Sequence, residues 1–169
     1  MLIILEGGDG SGKTTLCGQL VKAGAVQKVV KYNDMCAMNR YVEYLQEPER
    51  YVVCDRSFIT DLVYRLNDSR ARDTMNLIDI AFVLRYTNLI VVHCETETSF
   101  EDGMRRGEDN ITNKEDAETI KHLYRIVMKM IAKFADTTIL DYDWHTDDVN
   151  KVIRFINAKS NYKNKLKEL

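Results

Sequence analysis

The chain has 169 residues, of which 45% are hydrophobic, and its formal net charge is −2. This length allows a continuous core, and we expect residues 1–169 to form a single domain. The slightly acidic balance excludes the overall basic field that drives sequence-independent nucleic-acid binding. No stretch is apolar for long enough to span a bilayer, and no secretory signal pattern opens the chain. We therefore expect a cytoplasmic protein without nucleic-acid or membrane partners.

The first segment of the chain is its most informative one. Residues 2–5 are typical of a short buried strand, and an apolar i, i+4 stripe indicates a helix from about Thr15. Between them, residues 7–14 (GGDGSGKT) satisfy Gly-x-x-x-x-Gly-Lys-[Ser/Thr]. In a unit of strand, glycine loop and helix, backbone N–H groups turn toward a phosphate chain and the helix N-terminus adds its positive end. The segment therefore predicts a site for a nucleoside triphosphate.

Side chains of this loop have separate expected roles. Lys13 would bring a positive charge to the phosphates, and the Thr14 hydroxyl would ligate Mg²⁺. The residues that we expect around the phosphates are Gly8, Asp9, Gly10, Ser11, Gly12, Lys13, Thr14 and Thr15.

Four further apolar runs predict strands at residues 26–32, 51–54, 89–94 and 137–140. Helical spacing lies between them, most clearly from about residue 113 to 135, and an amphipathic helix closes the pattern before a basic tail at 159–169. This alternation predicts an α/β protein with the P-loop NTPase fold: a doubly wound, mainly parallel five-stranded sheet with helices on both faces. Ligands of such sheets bind at the carboxyl ends of the strands.

Asp55 and Arg56 stand where the third predicted strand ends, beside the glycine loop in this topology. A carboxylate there can hold Mg²⁺ directly or through water, and a guanidinium can bind an incoming phosphate with two hydrogen bonds. A surface ion pair is the alternative interpretation.

Arg105 and Arg106 precede a glycine after the fourth predicted strand and a short helix that begins near Ser99. Adjacent arginines on a segment that can hinge are typical of a lid that neutralises phosphate charge in the transition state. We therefore predict a lid at about residues 104–112. A solvated charge cluster is the alternative.

These motifs together resemble the thymidylate kinase group of P-loop kinases, which also includes the deoxynucleoside kinases. Residues 5–15 are similar to the start of these enzymes, and residues 55–64 resemble their Asp-Arg-Tyr segment and its continuation. The resemblance implies that Asp55 lies near Mg²⁺, that Arg56 binds the acceptor's phosphate, that Tyr64 lies near its sugar or base and that Asp9 faces it. Family members with glycine at the position of Gly10 rely on lid arginines for catalysis.

Two further segments gain a meaning from the resemblance. Residues 141–143 (DYD) resemble the loop beside the adenine of ATP. A helix that is apolar nearly all round, starting near residue 75, suggests a homodimer, because the family dimerises through such helices.

The acceptor is less well defined by the sequence. Residues 31–35 (KYNDM) lack the Arg-Glu-Pro-Gly-Gly-Thr of thymidylate kinases, whereas Thr60 and Asp61 after Arg56 are closer to deoxynucleoside kinases and make Asp61 a candidate substrate contact. A nucleoside hydroxyl benefits from a general base, for which Asp34 is the nearby carboxylate, while a monophosphate needs positive clamps. The available clamps are Lys13, Arg56, Arg105 and Arg106. We therefore expect ATP-dependent phosphorylation of a (deoxy)nucleoside monophosphate to the diphosphate, most like thymidylate kinase, with a deoxynucleoside kinase that acts on the 5'-hydroxyl as the alternative.

A regulatory P-loop NTPase is a further alternative, because residues 113–116 (NKED) spell the guanine-reading Asn-Lys-x-Asp. In GTPases this motif ends a buried apolar strand. Here a polar segment precedes it and a helix is predicted after it, so the context argues against that interpretation.

Overall fold

Five strands form one parallel sheet in the computed structural model, which describes residues 1–30, 37–67, 77–85, 88–107, 113–135 and 137–169. All four strand pairings are parallel, in the order β2-β3-β1-β4-β5. The strands are β1 (Leu2–Glu6), β2 (Val26–Lys28), β3 (Val52–Asp55), β4 (Leu89–Cys94) and β5 (Thr138–Tyr142). The predicted parallel α/β fold is confirmed.

Seven helices are present in the described part of the chain: α1 (Lys13–Lys22), α2 (Ala37–Gln46), α3 (Phe58–Asn67), α4 (Leu77–Leu84), α5 (Ser99–Arg105), α6 (Lys114–Ala135) and α7 (Val149–Lys159). The largest difference from the sequence prediction is β2, which ends at Lys28 instead of continuing toward residue 32. Within the described residues it pairs with β3 alone, its first two residues are exposed and Val29 after it is 68% exposed, so burial does not favour a longer strand. Residues 31–36, with Asp34, lie outside the described ranges.

Apolar side chains pack on both faces of the sheet, because neighbouring strand residues point to opposite sides. Leu2 and Ile4 of β1 belong to a cluster with α2, α3, α4 and α6. Ile3 and Leu5 belong to a second cluster with α1 and α7. The carboxyl ends of the strands therefore open between two helical layers.

The segment after α7 lies back on the second cluster. Leu166 is buried, the backbone N–H of Lys167 donates to the carbonyl oxygen of Ala23 (2.9 Å), and the Met1 ammonium donates to the Tyr162 hydroxyl (2.6 Å). Its lysines are exposed, as the basic composition predicts, but the buried Leu166 was not anticipated.

Within the described ranges, three cysteines are buried with free thiols: Cys17, Cys54 and Cys94. Burial raises the pKa of the Cys17 thiol to about 11 and those of Cys54 and Cys94 to about 12. Among the described residues, no helix has the length and apolar character needed to cross a membrane. The cytoplasmic location stays a prediction.

Candidate functional site

The loop between β1 and α1 depends on glycine for both backbone conformation and space. Gly10 and Gly12 have φ angles of 78° and 86°, in the left-handed region that side chains disfavour. A Cβ atom on Gly10 would lie 1.8 Å from the carbonyl oxygen of Ser99, at the start of α5, and one on Gly7 would lie 2.0 Å from that of Cys94. The loop is therefore held closely against β4 and α5.

Lys13 lies inside this loop, with 5% of its surface exposed. Its ammonium donates to the carbonyl oxygen of Gly8 and to Ser11 Oγ (3.2 Å). Burial, aided by the positive charge of Arg56, lowers the pKa of Lys13 to about 8. The side chain is therefore still mainly charged at neutral pH.

Thr14 and Asp55 meet where α1 begins and β3 ends. Thr14 Oγ1 donates to Asp55 Oδ2 (2.7 Å), while the other carboxylate oxygen, Asp55 Oδ1, is buried and has no hydrogen-bond partner among the described residues. Mg²⁺ prefers oxygen ligands and, next to phosphates, needs only one or two from the protein. This pair, with one buried oxygen to spare, fits such an ion.

Arg56 leaves β3 in a left-handed conformation (φ 74°). Its backbone N–H donates to the carbonyl oxygen of Leu5 (3.0 Å), and its guanidinium forms an ion pair with Asp9 Oδ1. The second carboxylate oxygen of Asp9 is buried and has no partner among the described residues. The structure thus brings together two of the predicted site residues, which are 47 positions apart in the sequence.

One cavity of about 240 Å³ collects most of the predicted phosphate residues: Asp9, Gly10, Ser11, Gly12, Lys13, Thr14, Arg56 and Arg106. Thr15 is exposed on the first turn of α1 and does not line it. The walls combine three cationic side chains with the amides of the glycine loop. This arrangement can bind polyphosphate.

The two predicted lid arginines have different surroundings. Arg106 lines the phosphate cavity, and its Nε donates to the backbone oxygen of Asp102 (3.2 Å). The Arg105 side chain is 77% exposed and pairs with the carboxylate of Asp102 (3.4 Å). Residues 108–112 of the predicted lid lie outside the described part of the chain.

A second cavity of about 250 Å³ adjoins the first and shares Arg56 with it. Tyr41 and Phe58 pack edge to face in its wall, with ring centroids 5.2 Å apart, and Asp61 also lines it. Tyr64 lies beside Arg56 instead: burial raises the pKa of its phenol, the charge of Asp9 adds to this and a hydrogen bond with Arg56 opposes it. The aromatic wall and the shared arginine suit a nucleotide's base and phosphate.

Glu6 is a site residue that our sequence analysis did not select. It ends β1 with no exposed surface and accepts hydrogen bonds from Ser57 Oγ and Thr60 Oγ1, both at 2.6 Å. Burial raises the pKa of its carboxyl to about 7, and these hydrogen bonds oppose the effect. The available signal was a carboxylate at the end of an otherwise apolar strand.

The loop after β5 reaches the phosphate loop through Trp144 rather than through residues 141–143. A Cβ atom on Gly12 would lie 2.7 Å from Trp144 Cδ1, and the indole stacks on His145 with ring centroids 3.9 Å apart. His145 Nε2 lies 3.0 Å from Asp102 Oδ2 and 2.9 Å from Thr98 Oγ1. These contacts join the loop to α5.

The Asn-Lys-x-Asp match has a structural role at the start of α6. Asn113 Oδ1 accepts from the backbone N–H of Asp116 (2.8 Å), and Asn113 Nδ2 donates to the Asp116 carboxylate (2.7 Å). This is a helix N-cap interaction. The motif therefore needs no guanine to explain it.

Comparison with known proteins gives structural neighbours only, because no family model and no curated protein matches the chain. A complex of the YorR protein from Bacillus subtilis with phosphorylated GDP is 20% identical with a TM-score of 0.71, over 92% of this chain and 93% of that one. Deoxyadenosine kinase from M. mycoides with bound dCTP is 18% identical with a TM-score of 0.60, over 94% and 100% of the chains.

The same kinase with bound dATP is 20% identical with a TM-score of 0.56, over 94% of this chain and 98% of that one. At this identity the likeness concerns the fold. The chain has the fold of P-loop kinases of the nucleoside and nucleotide kinase group, as its motifs predicted.

Proposed function

We propose that this protein is an ATP- and Mg²⁺-dependent kinase that phosphorylates a nucleoside monophosphate. The observation that carries the proposal is the convergence of Lys13, Arg56 and Arg106 on one cavity. Two phosphate groups must approach each other there, and their repulsion is the main barrier that a protein can lower. Three cations around one cavity, with Arg56 shared by the neighbouring cavity, suit donor and acceptor phosphates that meet at Arg56.

In this proposal each side chain has a definite task. Lys13 and the loop amides hold the β- and γ-phosphates of ATP, Arg56 anchors the acceptor phosphate, and Arg106 closes over the reacting centre. Thr14 and Asp55 would hold Mg²⁺, directly or through water, and the ion would neutralise charge on the β- and γ-oxygens. Asp9 keeps the Arg56 guanidinium at the junction of the two cavities.

A deoxynucleoside kinase is the second candidate, and one observation favours it. Asp61 lines the second cavity, whose wall also contains Arg56. A carboxylate in that position could accept the proton of an attacking sugar hydroxyl. The structural neighbours that are deoxyadenosine kinases support this candidate, while the shared fold alone does not separate it from the first.

The decisive experiment is a coupled assay of ADP formation with Mg²⁺ and a panel of ribo- and deoxynucleosides and their monophosphates, including an acceptor-free control. We expect turnover with at least one monophosphate and its loss in Lys13→Ala, because the lysine charge at the transferred phosphate is removed. Turnover with nucleosides alone would establish the second candidate. Acceptor-independent hydrolysis alone would contradict both and favour a regulatory NTPase.

Donor binding can be measured without turnover, because the sequence contains a single tryptophan. Trp144 covers Gly12 beside the phosphate cavity, so we expect ATP to change its fluorescence and Lys13→Ala to weaken that titration. A lack of any response to ATP at millimolar concentration would remove the donor assignment.

We also propose a homodimer. Phe82 of α4 and Ile126 and Met130 of α6 are 39–50% exposed on one helical layer of the molecule. A contiguous apolar patch on such a layer is typical of a protein interface, and we propose that these side chains belong to one. Sedimentation equilibrium of the wild type and of Met130→Glu would test it: a dimer that the substitution dissociates is expected, and a monomeric wild type would exclude it.

A further inference from the structure

The Glu6 carboxylate is the centre of a buried polar cluster next to the phosphate cavity. Its two oxygens accept hydrogen bonds from Ser57 and Thr60, at the start of α3, and the Tyr124 hydroxyl of α6 lies 3.4 Å from Oε2 and 3.0 Å from Thr60 Oγ1. Glu6 itself ends β1, next to the glycine loop. One side chain thus connects β1, α3 and α6.

Arg56 directly precedes Ser57, the first of the two hydroxyl residues that donate to Glu6. Its left-handed backbone conformation is uncommon for a residue with a side chain and persists only where neighbouring contacts fix it. On one side the Arg56 N–H bonds Leu5, and on the other the Ser57 hydroxyl bonds Glu6. Both anchors are consecutive residues of β1, so the turn that carries Arg56 is fastened to the strand that carries the glycine loop.

We propose that Glu6 is a positioning residue, whose buried carboxylate fixes the turn at Ser57 and Thr60 and so holds Arg56 in its place between the two cavities. The proposal rests on the proposed function for the task of Arg56, but the effect of Glu6 on the turn is independent of it. Glu6 lines neither cavity that Arg56 shares, so it acts through Arg56 and not on a substrate.

A contribution to the stability of the fold explains this buried cluster less well than the positioning of the turn does. A carboxylate with no exposed surface is costly to bury, and an apolar side chain of similar volume commonly stabilises such a position. Burial raises the pKa of Glu6 to about 7, which is a sign of that cost. Its neighbours include Lys13 and Arg56 as cations, and His93 of β4 is its register partner in the sheet. The hydrogen bonds of the Glu6 carboxylate therefore fix the position of the turn, while its burial lowers the stability of the folded protein.

The test compares Glu6→Gln with Tyr51→Phe. The second variant removes a buried hydroxyl bond of similar length, from Tyr51 to Ser160 Oγ (2.9 Å), in the second core cluster. Hydrogen exchange in the free protein is the first measurement. The reporters are the Arg56 amide, which donates to the carbonyl oxygen of Leu5, and the Ile59 amide, which donates to Ser57 Oγ (3.2 Å). At pH 8, where the Glu6 carboxyl with its pKa of about 7 is mainly charged, we expect exchange of both amides to rise about tenfold in Glu6→Gln, because a bond to a charged acceptor is lost, and to stay unchanged in Tyr51→Phe. Unchanged exchange at both amides in Glu6→Gln, or an equal rise along the whole chain, would overturn the proposal.

Kinetics give the second measurement, with the acceptor that the panel identifies. Glu6→Gln is expected to raise the acceptor KM about tenfold and the ATP KM less than twofold, whereas Tyr51→Phe changes neither. Equal effects on both substrates would contradict a role through Arg56. If the panel yields no acceptor, the proposed function fails and the exchange result still decides the effect of Glu6. Should Glu6→Gln not fold, Ser57→Ala and Thr60→Val remove the same bonds one at a time and must raise exchange of the Arg56 amide. The Ile59 amide is a reporter only in Thr60→Val, because Ser57→Ala removes its own acceptor.

Discussion

At the scale of single residues, three cations reach the phosphate cavity by three different means. Lys13 is buried and donates to the loop that surrounds it. Arg56 depends on an unusual backbone conformation and an ion pair with Asp9, and Arg106 directly follows α5 with its Nε bonded to a backbone oxygen. Each charge is held by contacts within the protein, and charges held in this way need little reorganisation at the moment of transfer.

The neighbouring arginines of α5 give a matched pair of variants. We predict that Arg106→Ala lowers kcat by about a hundredfold or more, because a cation over the reacting phosphates is lost. Arg105→Ala should change kcat less than about threefold, because that side chain is largely exposed and pairs with Asp102. Steady-state kinetics at saturating ATP measures both. A larger effect of Arg105→Ala would reverse the assignment of the two arginines.

At the scale of secondary-structure elements, the glycine loop is positioned by what packs against it. Ser99 and Gly103 of α5 lie where a Cβ atom on Gly10 would be, and Trp144 from the loop after β5 lies over Gly12. The conformation of the phosphate loop is therefore coupled to α5, the helix that ends at the lid arginines.

Gly10→Ala tests this contact, with Gly107→Ala as its control. The two glycines have similar φ angles of 78° and 71°, but a Cβ atom at Gly107 meets nothing within 4 Å. Both variants carry the backbone strain of about 1 kcal/mol, while only Gly10→Ala must also displace α5. We predict that Gly10→Ala lowers Tm more than Gly107→Ala does. Only Gly10→Ala should weaken ATP binding at least tenfold, as measured by Trp144 fluorescence. Equal effects of the two variants on Tm and on ATP binding would mean that backbone strain alone, and not the contact with α5, is responsible.

The bounds of a strand could be predicted from the sequence where the strand is buried along its whole length. β4 has the predicted bounds because it is a central strand with every side chain buried, whereas β2 is an edge strand whose first two residues are exposed. Lys13 and Asp55 were predicted because each stands in a motif or at a strand end with its own mechanism. The polar cluster of Glu6, Thr60 and Tyr124 was not predicted, because it forms only where β1, α3 and α6, which are far apart in the chain, come together.

At the scale of the whole molecule, the buried Glu6 carboxyl makes stability depend on pH. Its pKa is raised from 4.5 in the unfolded chain to about 7 in the folded protein, so between these values the folded state binds more protons. The free energy of unfolding therefore falls as pH rises through this window, by up to about 3 kcal/mol. The pKa of the Met1 ammonium, lowered by burial to about 6, acts in the opposite sense between pH 6 and 8.

Urea unfolding of the wild type and Glu6→Gln at pH 5, 6, 7 and 8 isolates the carboxyl, because the Met1 contribution is common to both. We predict that the wild type loses about 2 to 3 kcal/mol relative to Glu6→Gln between pH 5 and 8. A difference that does not vary with pH would show that Glu6 titrates alike in both states.

The three buried thiols have a consequence for the dynamics of this architecture. With pKa values of about 11 to 12, Cys17, Cys54 and Cys94 hold almost no thiolate at neutral pH and are closed to a thiol reagent while the protein is folded. Each can react only when its own surroundings open. Cys17 lies one turn beyond Lys13 on α1, Cys54 precedes Asp55, and Cys94 ends the strand beside Gly7. The rates at which these three thiols react therefore report how often the structure around the nucleotide site opens. A bound nucleotide should slow all three reactions together.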